Sequence, residues 1–126
     1  GFKMAKDKEV GIIVKIPLDS GWLTGKYNAE SRFSDVRKRW SKEDIETRAT
    51  LVHKIAGLVG AGENLSQKAI AFCLAYDAVS TVIPGNVNME QLTSNVHSSD
   101  NTISTELKEK LERFYQSEIK KLNLPW

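Results

Sequence analysis

Cysteine is almost absent from this sequence of 126 residues, which contains only Cys73. A single cysteine cannot form an internal disulfide, which favours a reducing compartment, and we expect a cytoplasmic protein. Because Cys73 stands in the apolar run AIAFCLAY, we interpret it as a small core residue rather than as a nucleophile.

Long hydrophobic runs and a dominant sign of charge are missing as well. No stretch reaches the length of a membrane span and no charged-then-apolar leader is present, so we expect no membrane insertion. The 18 Lys and Arg residues nearly balance 16 Asp and Glu residues, which leaves a net charge of +2 and argues against nucleic acid as a partner. There is no G-x-G-x-x-G motif, which excludes a Rossmann unit, and no spacing that predicts a metal site.

Two β-branched runs predict strands that end in proline. The first covers roughly Val10 to Ile16 and stops at Pro17, and the second covers residues 78–83 and stops at Pro84. A glycine-containing stretch with no helical period, residues 19–40, follows the first strand. A loop of that length inside a domain is usually functional.

Helix signals occupy most of the remaining chain. We expect helices that begin at Ser41, Ser66, Asn88 and Ser104, each a residue type that caps helix N-termini. The first should end at the Gly-Ala-Gly of residues 60–62, and the second near Tyr76. The inward stripe of the first helix is Ile45, Ala49, Val52, Ile55 and Val59. The last helix should face inward with Leu107, Leu111, Phe114, Ile119 and Leu122.

Two strands joined by a helical crossover are expected to be parallel. Two parallel strands alone can cover neither their edges nor both of their faces. The predicted fold class is therefore α/β, as part of a larger parallel sheet or barrel. The sequence begins in mid-pattern at GFKMAKDKE, like the tail of a helix, so we expect a fragment of a longer protein.

The segments after both strands suggest anion binding. Gly85 allows close approach of the backbone to a ligand, and the amides of residues 88–91 at a helix N-terminus are expected to be free to bind a phosphate. Lys26 and one or more of Arg32, Arg37 and Arg39 would supply positive charge from the other loop. The alternative is that Pro84 and Gly85 only end a strand and that Asn88 is an ordinary cap.

Two motifs in these loops resemble the aldo-keto reductases, NADP(H)-dependent oxidoreductases with a (β/α)₈ barrel. They are PLDSGWLTGKY at 17–27 and QKAIAFCLAYDAVSTVIPGNVNMEQLTSN at 67–95. The resemblance covers nearly the whole chain, residues 1–126, taken as a single segment. It implies the C-terminal part of the barrel, with about two strands, from the end of the sixth barrel helix through the C-terminal helix.

The resemblance also implies a cofactor site made of two loops. After the seventh strand, the cofactor's pyrophosphate would be lined by Ile16, Pro17, Leu18, Asp19 and Gly21. Lys26 would reach the phosphates and Arg32 would clamp over the cofactor. After the eighth strand, the adenosine end would be surrounded by Gly85, Val87, Gln91 and Asn95.

Departures from the family pattern leave the choice between NADP(H) and NAD(H) open. Many members carry a Lys or Arg where this chain has Gly85 and Asn86. Many also carry Arg where it has Gln91, and a Glu where it has Ser94. Each of these positions is neutral here, so the charge-assisted bonds that favour a 2′-phosphate would be missing.

The family's catalytic Tyr, Lys, Asp and His are expected on earlier strands, outside this chain. His53 and His97 are expected at the surface or in a second layer, and Tyr27, Tyr76 and Tyr115 belong to a loop motif and to helix faces. We therefore predict no catalytic residue here, and an inactive chain on its own. Trp22 would either shape the substrate mouth or pack on the barrel rim.

Three functions follow as hypotheses. The first is part of a carbonyl-reducing enzyme whose partners are a nicotinamide dinucleotide, a small carbonyl substrate and the missing N-terminal barrel half, or a second copy of the chain. The second is a non-catalytic binding or regulatory protein on the same barrel, as some members of the family associate with membrane channels. The third is a free-standing helical interaction domain in which the strands are incidental.

Overall fold

The two predicted strands pair with each other in parallel. The computed structural model describes residues 1–122, 124 and 125, and places β1 at Ile12–Lys15 and β2 at Val79–Ile83. Ile12 is opposite Val79 and Lys15 is opposite Ile83. The strands are therefore not incidental, and the hypothesis of a purely helical interaction domain is wrong.

The first strand is shorter than predicted at both ends. The Val10 amide donates to the Ala5 carbonyl at 2.9 Å and so completes the turn after the first helix. Ile16 has a φ of +56°, which is incompatible with an extended strand. The hydrophobic pattern therefore located the strand, while local turns set its ends.

The described residues form five α-helices beside this sheet. They are α1 (Phe2–Asp7), α2 (Lys42–Val59), α3 (Leu65–Leu74), α4 (Met89–His97) and α5 (Thr105–Phe114). Two 3₁₀ turns, Asp19–Thr24 and Val36–Arg39, lie in the long loop, and a π-helical turn, Tyr115–Ile119, continues α5. Within the described residues, no helix combines the length and the apolar content needed to cross a membrane.

Three of the four predicted helix starts are confirmed. Ser41 caps α2 in a capping box, in which its hydroxyl accepts from the Asp44 amide at 3.1 Å and Asp44 accepts from the Ser41 amide at 2.8 Å. Asn88 caps α4 and Ser104 caps α5. Gly60, with a φ of +108°, follows the end of α2 as predicted.

The predicted start and end of α3 are wrong. Asn64, not Ser66, caps this helix by accepting from the Gln67 amide at 3.1 Å. The Ser66 hydroxyl instead donates to the Leu23 carbonyl at 3.4 Å, which ties the helix to the long loop. The helix ends at Leu74, before Tyr76.

The inward face of α5 is confirmed as far as Ile119. Leu107, Leu111, Phe114 and Ile119 are partly buried, whereas Leu122 is exposed. The π turn at Tyr115–Ile119 adds a residue to one turn and rotates the following side chains away from the α-helical period. An α-helical period of 3.6 residues therefore predicts wrongly that Leu122 faces inward.

An aromatic cluster organises the long loop. The Trp22 side chain is completely buried, and its ring centroid lies 5.5 Å from that of Tyr27 and 6.1 Å from those of Phe33 and Trp40. Ile45 of α2 packs against the same cluster. Trp22 is therefore a packing residue, and the alternative in which it shapes a substrate mouth is wrong.

Arg48 joins this loop to the helices. Its side chain projects from α2, is only 4% exposed and donates from Nη1 to Asp19 Oδ2 at 2.6 Å. Its Nη2 donates to the Pro125 carbonyl, and its guanidinium carbon lies 4.6 Å from the centroid of the Trp40 ring. One buried cation thus connects the first loop, α2 and the C-terminal segment.

We predict that Arg48→Met lowers the free energy of unfolding by about 3 kcal/mol, because removing one partner of a buried ion pair leaves the other partner poorly compensated. Urea unfolding followed by tryptophan fluorescence measures this change. The control is Lys42→Met on the same helix, which removes a surface ion pair with Glu46 at 3.5 Å. This substitution should lower the free energy of unfolding by less than about 1 kcal/mol. Equal losses in the two variants would contradict this role of Arg48.

Candidate functional site

The carboxyl ends of the two strands lie side by side. Because β1 and β2 are parallel and Lys15 is opposite Ile83, the segments that follow them leave the same edge of the sheet. We name residues 16–40 the first loop and residues 84–88, with the start of α4, the second loop. In open parallel sheets and in barrels, ligands bind at this edge.

The first loop begins with an unusual backbone. Ile16, Asp19 and Ser20 have positive φ values of +56°, +46° and +55°, and Gly21 follows at +96°. The left-handed region is unfavourable for residues with a Cβ and most of all for a β-branched residue such as Ile16. Such strain persists only where the surroundings enforce it, and it clusters at ligand-binding and active sites.

A side chain at Gly21 would be crowded and would strain the backbone. A Cβ at this position would lie 3.1 Å from Tyr27 Cε2, and the positive φ penalises any side chain. Gly21 therefore brings the backbone against the ring of Tyr27 and turns the loop over the aromatic cluster.

Asp19 is held by Arg48 and does not stand free at the edge. Pro17, two residues earlier, is buried, and Leu18 is partly buried. The side chains of Pro17 and Asp19 therefore stabilise the loop. The backbone takes part as well, because the Asp19 amide donates to the Ile16 carbonyl at 3.1 Å and the Gly21 amide donates to the Leu18 carbonyl at 2.9 Å. Their contact with a cofactor stays a prediction.

The four candidate cations of the first loop differ in their surroundings. Arg37 donates from Nε to both carboxylate oxygens of Asp35 at 3.0 Å, and from Nη1 to the Tyr27 hydroxyl. Arg32 Nη1 donates to the carbonyls of Glu30 at 2.9 Å and Ser31 at 3.1 Å. Arg37 is thus committed to the loop itself, whereas Arg32 is exposed and held only by neighbouring carbonyls.

The other two cations are exposed. The Lys26 ammonium lies 4.9 Å from the centroid of the Tyr27 ring. Arg39 Nη1 donates to the Val36 carbonyl at 2.6 Å. A cavity of about 280 Å³ beside this segment is lined by Arg32, Phe33, Arg37, Lys38, Trp40, Lys42 and Ile45. The first loop therefore presents a basic surface next to an aromatic cluster.

Side-chain amides arrange the second loop. Gln91 Oε1 accepts from the Val87 amide at 3.0 Å, and Asn95 Nδ2 donates to Asn86 Oδ1 at 2.6 Å. Asn88 Oδ1 accepts from the Gln91 amide at 2.9 Å. The expectation that all amides of residues 88–91 are free is therefore wrong for Gln91, because its own helix cap uses that amide.

Gly85 lies in open space. A Cβ there would meet no atom within 4 Å, and Val87, two residues on, is 87% exposed. The structure thus gives Gly85 no packing role, in contrast to Gly21.

Among the described residues, the His and Tyr side chains form no acid–base constellation at the loops. His53 and His97 are exposed, and Tyr115 is 49% exposed on the turn after α5. The Tyr76 hydroxyl donates to Glu112 at 2.7 Å, and burial and this hydrogen bond raise the pKa of Tyr76 far above its usual range. Tyr76 therefore remains protonated and bound to α5.

Residues 1–122, 124 and 125 contain neither a metal site nor a nucleophilic cysteine. No group of three or more His, Cys, Asp or Glu side chains in this part of the chain is placed to hold a metal ion. Cys73 is only partly buried, so the interpretation as a core residue is too strong, and burial raises the pKa of its thiol. A thiol with a raised pKa is a poor nucleophile.

Sequence reasoning missed Arg48, although a signal was present. Arg48 falls between Ile45 and Val52 in the apolar stripe of α2, and all three are buried. A cation at helical spacing inside an apolar stripe predicts a buried partner of opposite charge, here Asp19.

Comparisons with known proteins agree with this geometry. The family model for the aldo/keto reductase family matches residues 2–116, and the chain belongs to this family. Structural neighbours include an aldo-keto reductase of Bacillus halodurans, with a TM-score of 0.63 and 17% identity for its apo form and 0.65 and 18% for its holo form. The match covers 89% of this chain and 36% of that enzyme.

Two curated plant proteins are also similar to this chain. Both are named "Probable voltage-gated potassium channel subunit beta", and they are 31% identical in Arabidopsis thaliana and 32% identical in Oryza sativa subsp. japonica, over 124 residues. The match covers 89% of this chain, which spans 37% of the length of these relatives.

The fold class is thereby confirmed. The chain is mostly helical with a two-stranded parallel sheet, and it corresponds to part of an aldo-keto reductase (β/α)₈ barrel, so the barrel is incomplete in this chain. The family is one of oxidoreductases whose members generally bind NAD(P)H.

We predict that acid loosens the first loop. The hydrogen bonds from Arg37 lower the pKa of Asp35 from its usual 3.8 to about 2. A carboxyl whose pKa is lower in the folded state stabilises that state above the unfolded pKa, and the contribution is lost as the pH falls from 3.8 towards 2. The fluorescence of Trp22 and Trp40 should change over that range.

Two variants test the origin of that change. Asp35→Asn should alter the fluorescence already near neutral pH and remove most of the change between pH 3.8 and 2. Asp77→Asn removes another exposed acid with a lowered pKa, which is paired with Lys6 outside the first loop, and it should keep the original profile. A similar loss in both variants would contradict the assignment to Asp35.

Proposed function

We propose that the chain is the C-terminal part of an NADP(H)-dependent aldo-keto reductase, from the end of the sixth barrel helix through the C-terminal helix. In this proposal it binds the phosphates and adenosine end of the cofactor. The observation that carries the proposal is that two glycine-containing loops leave adjacent parallel strands at one edge. One of these loops is strained at three positions, and the other leads into a helix N-terminus.

The first loop would bind the pyrophosphate. The wall would be supplied by Ile16, Pro17, Leu18, Asp19 and Gly21. They would act through the shape of the loop, since Asp19 is paired with Arg48 and the amides of Asp19 and Gly21 donate within the loop. Lys26 would neutralise phosphate charge, because it is exposed and no acid of the described chain pairs with it. Arg32 would close over the cofactor from the basic surface of the same loop.

The second loop would bind the adenosine end. Gly85 leaves open space for a ligand to reach the backbone. Val87 offers an exposed apolar surface, and Gln91 and Asn95 offer amide groups beside it. A helix N-terminus also favours a phosphate through its partial positive charge.

The second loop gives little preference for a 2′-phosphate. Gly85, Asn86 and Gln91 are neutral, and Ser94 accepts a hydrogen bond from Gln67 at 3.3 Å. A hydrogen bond to a charged group contributes about 1.5–3 kcal/mol, so each absent cation lowers the advantage of NADP(H) over NAD(H). Both cofactors therefore belong to the proposal.

The bound cofactor would supply a hydride to a carbonyl compound. The residues of this chain would bind and orient it and would exclude water from its phosphates. The tyrosines that this chain contributes are engaged elsewhere, since the Tyr27 oxygen accepts from Arg37 and the Tyr76 hydroxyl donates to Glu112. Proton transfer would thus depend on residues outside this chain, and the chain alone would be inactive.

A second candidate is a regulatory protein on the same barrel. The observation that favours it is the name shared by the two plant relatives, which describes potassium channel β subunits. Such a protein would retain the cofactor loops and act through a partner. Turnover of a simple aldehyde with NADPH by the intact protein would count against this candidate.

We predict that the intact polypeptide containing this chain binds NADPH, and that Gly85→Ala weakens the binding at least about tenfold without changing stability. A methyl group at Gly85 meets nothing in the protein but would occupy space needed by the ligand. Nicotinamide fluorescence measures Kd, and thermal unfolding measures stability.

The matched control is Gly57→Ala in α2, where an added Cβ also meets no atom within 4 Å. This variant should bind NADPH normally and be slightly more stable, because alanine favours a helix over glycine. An unchanged Kd in Gly85→Ala would contradict the placement of the cofactor at the second loop. A complete lack of NADPH and NADH binding by the unmodified protein would refute the proposed function.

A further inference from the structure

One acidic residue lies in the wall that is proposed to bind the pyrophosphate. Of the five residues assigned to this wall, Asp19 alone carries a charge, and its side chain is 28% exposed. Like charges that lie close together repel, and the repulsion is stronger where water is partly excluded. An unneutralised carboxylate at this position would therefore oppose the binding of phosphates by the first loop.

Arg48 neutralises this carboxylate from α2. Its Nη1 donates to Asp19 Oδ2 at 2.6 Å, and its own side chain is only 4% exposed. The guanidinium also donates from Nη2 to the Pro125 carbonyl and lies 4.6 Å from the centroid of the Trp40 ring. Further strands of a barrel could only increase this burial. Arg48 is therefore fixed in place and too deeply buried to contact a ligand itself.

The ion pair also holds the backbone of the first loop. Asp19 and Ser20 have left-handed φ values of +46° and +55°, which are unfavourable for residues with a Cβ. The Asp19 amide donates to the Ile16 carbonyl at 3.1 Å, so both the side chain and the backbone of Asp19 stabilise the turn. Loss of the ion pair would therefore release a negative charge and a strained turn at the same position.

We propose that Arg48 is a positioning residue for the cofactor, because it holds and neutralises Asp19 so that the first loop can accept a pyrophosphate. This inference rests on the proposed function, and it assigns a binding role to a residue that does not touch the ligand. The charge of Arg48 is the essential property in this role. Removing the Asp19 carboxylate should therefore compensate for removing the Arg48 guanidinium.

The first test compares ADP-ribose, which carries the pyrophosphate, with adenosine, which does not. Both ligands displace NADPH from the intact polypeptide, and nicotinamide fluorescence measures their Kd. Arg48→Met should raise Kd for ADP-ribose by about 10- to 100-fold, because the charge of Asp19 is then uncompensated, and Kd for adenosine by less than about twofold. Raising the ionic strength from about 0.05 M to about 0.5 M should reduce the difference between variant and unmodified protein, since salt shortens the range of charge repulsion.

Two variants of Asp19 separate neutralisation from stability. Asp19→Asn keeps an oxygen that can accept from Arg48 but removes the negative charge, and it should bind ADP-ribose at least as tightly as the unmodified protein. Asp19→Asn combined with Arg48→Met lacks the ion pair, yet its Kd for ADP-ribose should return to within about fivefold of the original value. If Arg48 were only a structural connection, the double variant would bind no better than Arg48→Met. The ratio of the two Kd values cancels any unfolded fraction, because unfolding weakens both ligands equally.

The control is Lys54→Met on the same helix, which removes an ion pair with Glu118 at 2.8 Å, outside the first loop. Its Kd for either ligand should stay within about twofold of the original value. Equal losses for ADP-ribose and adenosine in Arg48→Met, a loss that salt does not reduce, or no recovery in the double variant would each overturn the inference. If the unmodified protein binds neither NADPH nor NADH, the proposed function itself fails, and that result is distinct from failure of the role of Arg48.

Discussion

The contacts of the Arg48 guanidinium determine much of the arrangement at the sheet edge. This buried cation pairs with Asp19, donates to the Pro125 carbonyl and stacks over Trp40. Desolvating a guanidinium is unfavourable, and only an arrangement that supplies all these partners together compensates for it. The left-handed residues Asp19 and Ser20 are therefore maintained by an interaction made with α2, distant in sequence. The positive φ of Asp19 and its ion pair with Arg48 therefore depend on each other.

The regular elements could be predicted because their signals are local. The β-branched runs located β1 and β2, and the Ser41 capping box located α2. Errors arose where two local signals compete or where the helical period changes. Asn64 and Ser66 can both cap a helix, and the contact between Ser66 and the Leu23 carbonyl, which decides between them, is made only after the chain has folded. Leu122 follows a π turn for which the sequence has no recognised pattern.

The candidate site shows the same division between local and distant causes. Proline and glycine after parallel strands indicated where both loops leave the sheet, since parallel pairing brings strand ends together. The roles of the cations within the first loop could not be predicted, because Arg32, Arg37 and Arg39 are equivalent in sequence. The structure separates them through Asp35 and Tyr27, which fix Arg37 within the loop and leave Arg32 exposed. Selectivity among similar residues is thus a property of tertiary contacts.

The sheet face that carries Ile13 and Ile83 links stability to ligand binding. These isoleucines are exposed, and they gain hydrophobic stabilisation only when further strands close over them. A ligand that touches the two loops and also the remaining strands binds the closed state alone. Such a ligand stabilises closure by an amount that rises with its concentration relative to Kd. In the proposed function, barrel closure and cofactor binding would therefore be coupled equilibria, and the two-stranded sheet would be the element through which the coupling acts.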